Sequence, residues 1–597
     1  MLLTRLVEYA ADAAQAGTAV PPPYYKSQKI RWILELNPDG SLASGELQPL
    51  ANPDDPVLRN GVEYLVPSIT KTSGIAPRIA VDTLEYVFGW VPDDGKPDRA
   101  ARAHEAFRGL TASWAAADPA GPVQALHRFL SGGHAQRVVP PEGWARGDQV
   151  IVRVQGEPGF LHDTASARQY WASVAASRKE SGATGLCLVC GTVGELLRTI
   201  PQQLPARLVP QATQSASLVS VNKAAHGFGL QEQLVHTPVC ARCGLAAMSA
   251  LESLLSDQWK SALAGQDTRL AWWVTGGADL DLDPLEDTRP RPEQVAHLLG
   301  GPARGRKPGL GGEVPAMFCG VALGGNVSRV VIREWIEMPL PRVRDNLRSW
   351  FADHEMIDPW DGETRYAGLG QLARVSGRWL ADRKSYARPG SSGEDRPAGV
   401  YQALLRAALL RKPLPPKLLA HLVRRVRSDG RLDTERAALI RLALVRRPGI
   451  PDPEAYMPVL NPGNHQPAYL AGRIFAVFED IQLSAARAGG DAAPNVTFTD
   501  RYFARAVTSP AVALVAGRRD ARAWLKKLRR DRPTWAIAAE RRLDDLFDQI
   551  ATAGGIPHGA VLADQAAFIL GYHQQRAAQR ASRGSGTTEP VSEGVPA

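Results

Sequence analysis

Cysteine is scarce in this chain: five in 597 residues, at Cys187, Cys190, Cys240, Cys243 and Cys319. That is too few for the disulfide framework of a secreted scaffold, and a reducing cytoplasm is the expected compartment. No stretch approaches the ~18–20 continuous apolar residues of a membrane helix, in keeping with a mean hydropathy of −0.20. The N-terminus, Met1-Leu-Leu-Thr-Arg-Leu-Val-Glu-Tyr-Ala10, is amphipathic with an acid already at Glu8, so it does not read as a signal peptide. Catalytic signatures are missing too: no GxxxxGK[ST] phosphate loop, no HExxH, no GxSxG. His162-Asp163 is a lone HD dipeptide without the further spaced His and Asp residues that a metal-dependent phosphohydrolase needs. No repeat of fixed period is present. The sequence therefore offers no nucleophile, base or catalytic metal set, and a non-catalytic binding protein is the expectation.

What is present is ordinary globular material. A 44% hydrophobic share is too high for a disordered chain, and the length corresponds to about four domains. The net charge of +9 is unevenly placed. Residues 401–597 hold 29 Lys+Arg against 18 Asp+Glu, a net +11, while the first 400 hold 41 against 43, a net −2. A basic last third facing a near-neutral body points to a polyanionic partner, most often nucleic acid; a merely solvated basic surface is the alternative.

The pattern implies an α+β protein: a mixed α/β N-terminal body with an inserted zinc-knuckle region, followed by an all-α C-terminal helical bundle. Lys29 to Leu36 has strand composition and runs into Asn37-Pro-Asp-Gly40, a turn signal. Gln149 to Val154 is a second short strand. Met317 to Leu323 and Val327 to Trp335 flank Gly324-Gly325-Asn326, which reads as a β-hairpin. Ala278 to Arg291 is an acidic, Pro-containing loop whose Asp279, Asp281 and Asp283 could hold a hard cation, but it reads as an exposed linker, because the Gly and distal Glu of a calcium loop are missing. Arg388 to Pro397 is the clearest linker. Beyond it the spacing turns helical: Leu418, Leu419, Leu422, Val423 and Val426 share one face, and Leu543, Leu546, Phe547 and Ile550 repeat the pattern. The expected divisions are 1–150, 151–387 with the knuckle region at about 180–250, a linker at 388–399, a bundle over 400–581 and a disordered tail over 582–597.

Cys187-Leu-Val-Cys190-Gly191 and Cys240-Ala-Arg-Cys243-Gly244 form two CxxCG knuckles. Each CxxC turn aims two thiolates at one ion, and the following Gly permits the tight backbone around the sulfurs. Two knuckles complete a tetrahedral site that suits Zn²⁺ in a structural role. Redox pairs are the rival, but one CxxC would suffice for that chemistry. His226 and His236 lie between the knuckles, yet four cysteines already fill the site. Cys319, in an apolar strand, is expected to be a buried hydrophobe.

Several segments together resemble one family, the large subunit of the type I-C CRISPR interference complex (Cascade). They are Leu2 to Tyr9, Pro21-Pro-Pro-Tyr-Tyr25, Ile30 to Gly40, Val66-Pro-Ser-Ile-Thr-Lys-Thr-Ser-Gly-Ile-Ala-Pro-Arg78 with Asp82 and Glu85 to Gly89, and Ser217 to Ser220 with Asn222. Near the end come Ala468-Tyr-Leu-Ala-Gly-Arg-Ile-Phe-Ala-Val-Phe-Glu479 and Phe568-Ile-Leu-Gly-Tyr-His-Gln-Gln-Arg576. The resemblance spans nearly the whole chain. The zinc expectation is read from this chain and is not carried over, since many relatives lack the second knuckle.

The resemblance implies a non-catalytic subunit of a crRNA-guided complex. It would recognise the PAM in double-stranded DNA, help unwind it, hold the displaced strand and dock the helicase–nuclease, with pairing to the guide reading the sequence. Its partners would be the crRNA-bound backbone subunits, the target DNA and a small subunit translated internally from near Met457. In the loop Thr70 to Arg78, Lys71 and Arg78 suit phosphate or base edges, Thr72 and Ser73 suit hydrogen bonds, and Gly74 allows close approach; an ordinary surface turn is the alternative. On the bundle, Arg518, Arg519, Arg522, Lys526, Lys527, Arg529 and Arg530, with Arg424, Arg425 and Arg427 on another helix, would track a single-strand backbone, or simply face water. A free-standing zinc-containing nucleic-acid enzyme or DNA-binding regulator is the competing function, though neither a catalytic constellation nor a helix-turn-helix is evident.

Overall fold

The computed structural model describes residues 2–15, 22, 24–52, 60–68, 74–91, 95–145, 147–178, 180–257, 266–275, 280–300, 304–306, 313–358, 361–388, 395–450, 452–488 and 496–584. They divide into two compact units, the first comprising 1–260 with 323–332, the second 261–322 with 333–597.

The first unit is built on a four-stranded sheet in the order Gln48–Pro49, Trp32–Leu36, Gln149–Val154, Val81–Thr83. The two central strands are parallel, with Trp32 opposite Val150 and Leu36 opposite Val154. Side chains alternate across this sheet as period-two geometry requires. Trp32, Leu34, Leu36, Val150 and Val152 enter one core with Phe107, Trp114, Phe129 and Trp171 from the covering helices, while Ile33, Ile151 and Val81 enter another with Phe160. Burial on both faces explains the nearly unbroken apolar run from Ile30 to Leu36. The expected strand is split at Arg31, whose Nη1 lies 3.0 Å from Asp148 Oδ1; residues before the break form Tyr25–Ile30, paired antiparallel with Val62–Pro67.

The anticipated hairpin around Gly324-Gly325-Asn326 is absent. Met317–Pro339 is one extended segment of 23 residues. A two-residue hairpin needs positive φ at its centre, but neither glycine is left-handed. Gly325 N–H instead donates to the Pro210 carbonyl at 2.7 Å, and a Cβ there would stand 2.8 Å from Ala212 N. The glycine admits a neighbouring strand rather than a turn. The acidic 278–291 segment is also more than a linker: Asp279 lies outside the described residues, but Leu280, Leu282 and Leu285 are buried and Asp283–Glu286 makes a helical turn.

In the second unit every long element after residue 400 is a helix, among the described residues. Leu418, Leu419, Leu422, Val423 and Val426 are buried as their spacing requires. Helix Pro467–Ala488 is apolar nearly all round and packs against Pro510–Asp531, Pro533–Thr552 and Leu562–Gly584. The two C-terminal motifs of the family resemblance face each other here. A Cβ on Gly472 would stand 2.1 Å from the Phe568 carbonyl oxygen, and one on Gly571 would stand 2.3 Å from that of Tyr469. Each motif thus carries the glycine that admits the other helix. Tyr469 Oη then donates to Gln574 Oε1 at 2.6 Å and Tyr572 Oη to Glu479 Oε2 at 3.0 Å. Most of the 388–397 linker lies outside the described residues, though Arg396 is buried and donates to the Ala373 and Ala387 carbonyls. The tail expected over 582–597 lies outside them from 585 onward, and residues 582–584 close the last helix.

Candidate metal centre and nucleic-acid surfaces

The first knuckle is the turn of a hairpin, Glu180–Leu186 paired with Val193–Leu197. Gly191 N–H donates to the Cys187 carbonyl at 2.9 Å and Cys187 N–H to the Thr192 carbonyl at 3.0 Å. Gly191 sits at φ +70°, where a side chain would be strained. Cys240 directly precedes helix Ala241–Asp257 and Cys243 lies in its first turn, so this pair sits among N–H groups that have no intrahelical partner. Gly244 serves differently from Gly191: its backbone is not left-handed, and a Cβ would meet Leu197 Cδ1 at 2.6 Å.

The four sulfurs lie within 4.8 Å of one another, with Cys190 Sγ 3.9 Å from Cys240 Sγ. Zn–S bonds of ~2.3 Å in a tetrahedron need sulfurs about 3.8 Å apart, so the donor set fits a zinc ion closely. Electrostatics agree. Hydrogen bonds from Thr192 pull the Cys190 thiol down to about 5, with Thr192 Oγ1 at 2.8 Å from its sulfur. Burial pushes the Cys240 and Cys243 thiols up; Cys187 adds to the rise at both, whereas hydrogen bonds from Cys243 oppose it at Cys240. Four thiolates cannot share this space without a cation between them. Four sulfurs close the coordination sphere, which is the pattern of a structural rather than a catalytic ion. Leu3 and Val7 of the N-terminal helix and Val189, Leu196 and Val239 pack around it. His236 is turned away, its Nε2 2.7 Å from the Phe228 carbonyl, and neither it nor His226 joins the cluster. Arg242, a cation inside the second CxxC, bonds Cys190, which raises its own pKa. Arg242 and Thr192 are contributors that spacing rules for cysteine do not reveal. Cys319 is fully buried in its strand, as expected.

Of the loop residues, Lys71, Thr72 and Ser73 lie outside the described residues. Gly74 is exposed, with φ +90°. Arg78 is 5% exposed. Its guanidinium lies 3.1 Å from Asp82 Oδ1, 3.0 Å from Gln28 Oε1 and 3.1 Å from Gln149 Oε1. Arg78 is thus held inside the fold as an anchor, not on the surface as an arm.

The bundle cations fall into two groups. Arg518, Arg522, Lys526 and Arg530 are exposed at four-residue intervals along helix Pro510–Asp531, a row about 18 Å long at 1.5 Å per residue. Arg518 in this row also stands over the Phe547 ring, 4.8 Å from its centroid. The remaining cations are tied to acids or less exposed: Arg529 lies 2.5 Å from Glu540, Arg519 3.1 Å from Asp520, and Lys527 is half-buried. On Pro416–Asp429, Arg425 lies 3.6 Å from Asp429 and Arg427 donates to the Ala504 carbonyl at 3.0 Å, whereas Arg424 is exposed beside His421. No described helix is long and apolar enough to cross a membrane.

These features define a mixed α+β protein with a cluster of four cysteines that could hold a metal ion in one unit and a basic helical bundle in the other. The family model for the CRISPR-associated protein Csd1 matches residues 6–580. The chain belongs to that family, the large-subunit family of type I-C Cascade. No curated protein matches it.

Proposed function

We propose that this chain is the non-catalytic large subunit of a crRNA-guided type I-C complex. It recognises the PAM in duplex DNA through the loop rooted on Arg78, helps open the duplex, holds the displaced strand on the bundle and docks the helicase–nuclease. The observation that carries the reading, beyond family membership, is the row Arg518, Arg522, Lys526, Arg530. Like charges at i, i+4 each cost a helix about 0.2–0.5 kcal/mol, so a row of four is a liability that a polyanion along it would turn into attraction. Zinc at Cys187, Cys190, Cys240 and Cys243 supplies cross-linking, not chemistry: it fixes the hairpin to the start of helix Ala241–Asp257.

The test is co-purification with crRNA and the backbone subunits, followed by binding to a randomised-PAM duplex library. Enrichment of a short motif beside the protospacer is expected; a flat library would sink the reading. A small subunit begun near Met457 would contain Pro467–Ala488 to Leu562–Gly584 but lack Pro416–Asp429 and Thr434–Val445, which pack on the last helix. An immunoblot against a C-terminal tag showing only the full-length band would count against that product.

A further inference from the structure

The first unit contains a cavity of about 370 Å³ that no sequence motif announces. It lies at the root of the Thr70 to Arg78 loop, since Ser68 and Arg78 both line it. Its two cations are placed differently. Arg78 is saturated by Asp82, Gln28 and Gln149. Lys26, on strand Tyr25–Ile30, is half-buried and makes no hydrogen bond or ion pair among the described residues. An ammonium withdrawn from water without a direct hydrogen-bond or ion-pair partner is costly; burial and Arg78 pull its pKa down, and the Glu252 carboxylate, not in ion-pair contact, partly offsets them. The opposite wall is Glu252 of helix Ala241–Asp257, 7% exposed and held by Gln202, whose Nε2 donates to Glu252 Oε2 at 3.1 Å. Gln203 and Ser215 complete a lining of amides and hydroxyls.

We propose that this cavity is a phosphate-binding site, with Lys26 as its cation. A phosphate only accepts hydrogen bonds, and Lys, Ser and Gln are the side chains that commonly meet it on nucleic acid. The volume is within the range that small-ligand clefts occupy, about 300–1,000 Å³. Because it sits under the PAM-loop root, the phosphate is expected to come from the DNA backbone; this part rests on the function proposed above. Burial raises the Glu252 carboxyl to about 7 despite Lys26 and Arg207, which both lower it. Below that pH Glu252 is neutral and the cavity's other carboxylate, Asp82, is paired with Arg78, so an anion is welcome. Above it, Glu252 carries a charge that opposes the phosphate and partly offsets that of Lys26. Glu252 is therefore the switching group of this wall, under the influence of Lys26 and Arg207 and sharing the cavity with the Arg78–Asp82 pair.

The test titrates a short fluorescent duplex into the full-length chain at several salt concentrations, with inorganic phosphate and a 5′-phosphorylated dinucleotide as competitors. Lys26→Met is expected to weaken duplex binding about tenfold and to lower the slope of log K against log salt by about one, while Lys26→Arg retains both. Glu252→Gln is expected to remove the loss of affinity as pH rises through about 7. Competition by phosphate or dinucleotide that disappears in Lys26→Met would identify the site and show that free phosphates also enter. Competition by duplex alone would restrict it to DNA. An unchanged salt slope in Lys26→Met, competition that survives that substitution, or no duplex binding by the wild type overturns the proposal. If Lys26→Met lowers the slope while the assembled complex shows no PAM preference, the phosphate site stands and the PAM reading falls.

Discussion

Cys190 Sγ and Cys240 Sγ stand 3.9 Å apart across fifty residues of sequence. Three elements meet at this point: the hairpin that carries Cys190, the start of helix Ala241–Asp257 beside Cys240, and Leu3 and Val7 of the N-terminal helix. Four sulfurs at this spacing form a donor set that a single cation would fill. The purified chain is therefore expected to hold one zinc. Cys187→Ser or Cys243→Ser, at the two buried positions, should abolish retention and cost about 3 kcal/mol or more of stability, because metal binding here is folding free energy. Elemental analysis together with thermal melts before and after chelation checks this. A metal-free chain that melts like the untreated one would refute it.

The crossing of Pro467–Ala488 and Leu562–Gly584 gives a second prediction. At Gly472 the obstructing atom is a backbone carbonyl, 2.1 Å from where a Cβ would stand, so no side-chain rotation can relieve it. Gly472→Ala should cost about 1–3 kcal/mol through overpacking, even though alanine is the better helix former by roughly 1 kcal/mol. Gly399→Ala is a poor control, since Gly399 is left-handed; Gly109→Ala suits better, with open space at its Cβ inside helix Pro97–Ala117. A urea midpoint for Gly472→Ala at or above the wild-type value would show that the helices do not cross this closely.

How far the sequence could be read depends on how local each signal is. The cysteine pairs were legible because a CxxC turn is a four-residue device whose purpose is contained in its spacing. The face made by Leu418, Leu422 and Val426 was legible because helical period is local too. Gly324-Gly325-Asn326 misled, because a glycine that makes room for Ala212 looks the same in sequence as one that makes a turn. Arg78 likewise reads as a free cation until folding brings Gln28, Asp82 and Gln149 around it. Lys26 and Glu252 had no local signal at all: they line one cavity only because folding brings helix Ala241–Asp257 to strand Tyr25–Ile30.

His354 predicts an acid limb in stability. Its side chain is wholly buried, with Nδ1–H donating to the Trp350 carbonyl at 2.7 Å and Nε2 accepting from Ala367 N–H at 3.3 Å. Burial pulls its pKa down to about 3, and Arg441 and Arg446 assist. The folded state therefore holds the neutral ring, while the unfolded chain takes up a proton below about 6.5. Stability is complete above that value and falls as pH drops toward 3, by about 1.4 kcal/mol per unit. His354→Gln keeps a donor and an acceptor but does not titrate. The melting temperature of this variant should depend less on pH between about 6.5 and 4 than that of the wild type; parallel curves would remove His354 from the account.

The bundle offers the sharpest contrast between neighbours. Arg530 is exposed at the end of the row formed by Arg518, Arg522 and Lys526, while the adjacent Arg529 is tied to Glu540. If the row tracks a displaced strand, each exposed cation contributes about one unit or less to the salt slope of single-strand binding. Replacing Arg518, Arg522, Lys526 and Arg530 with glutamate should therefore flatten the slope markedly and lower affinity without regard to base sequence, and Arg530→Ala alone should weaken binding a few-fold. Arg529→Ala should do less, because its charge is already paired and an exposed pair of this kind is worth only ~0.2–1 kcal/mol. Fluorescence anisotropy with a mixed-sequence oligonucleotide at several salt concentrations measures both quantities. Equal effects at 529 and 530 would mean that the bundle contributes only diffuse positive charge, and an unaltered slope in the fourfold variant would move strand holding elsewhere on the protein.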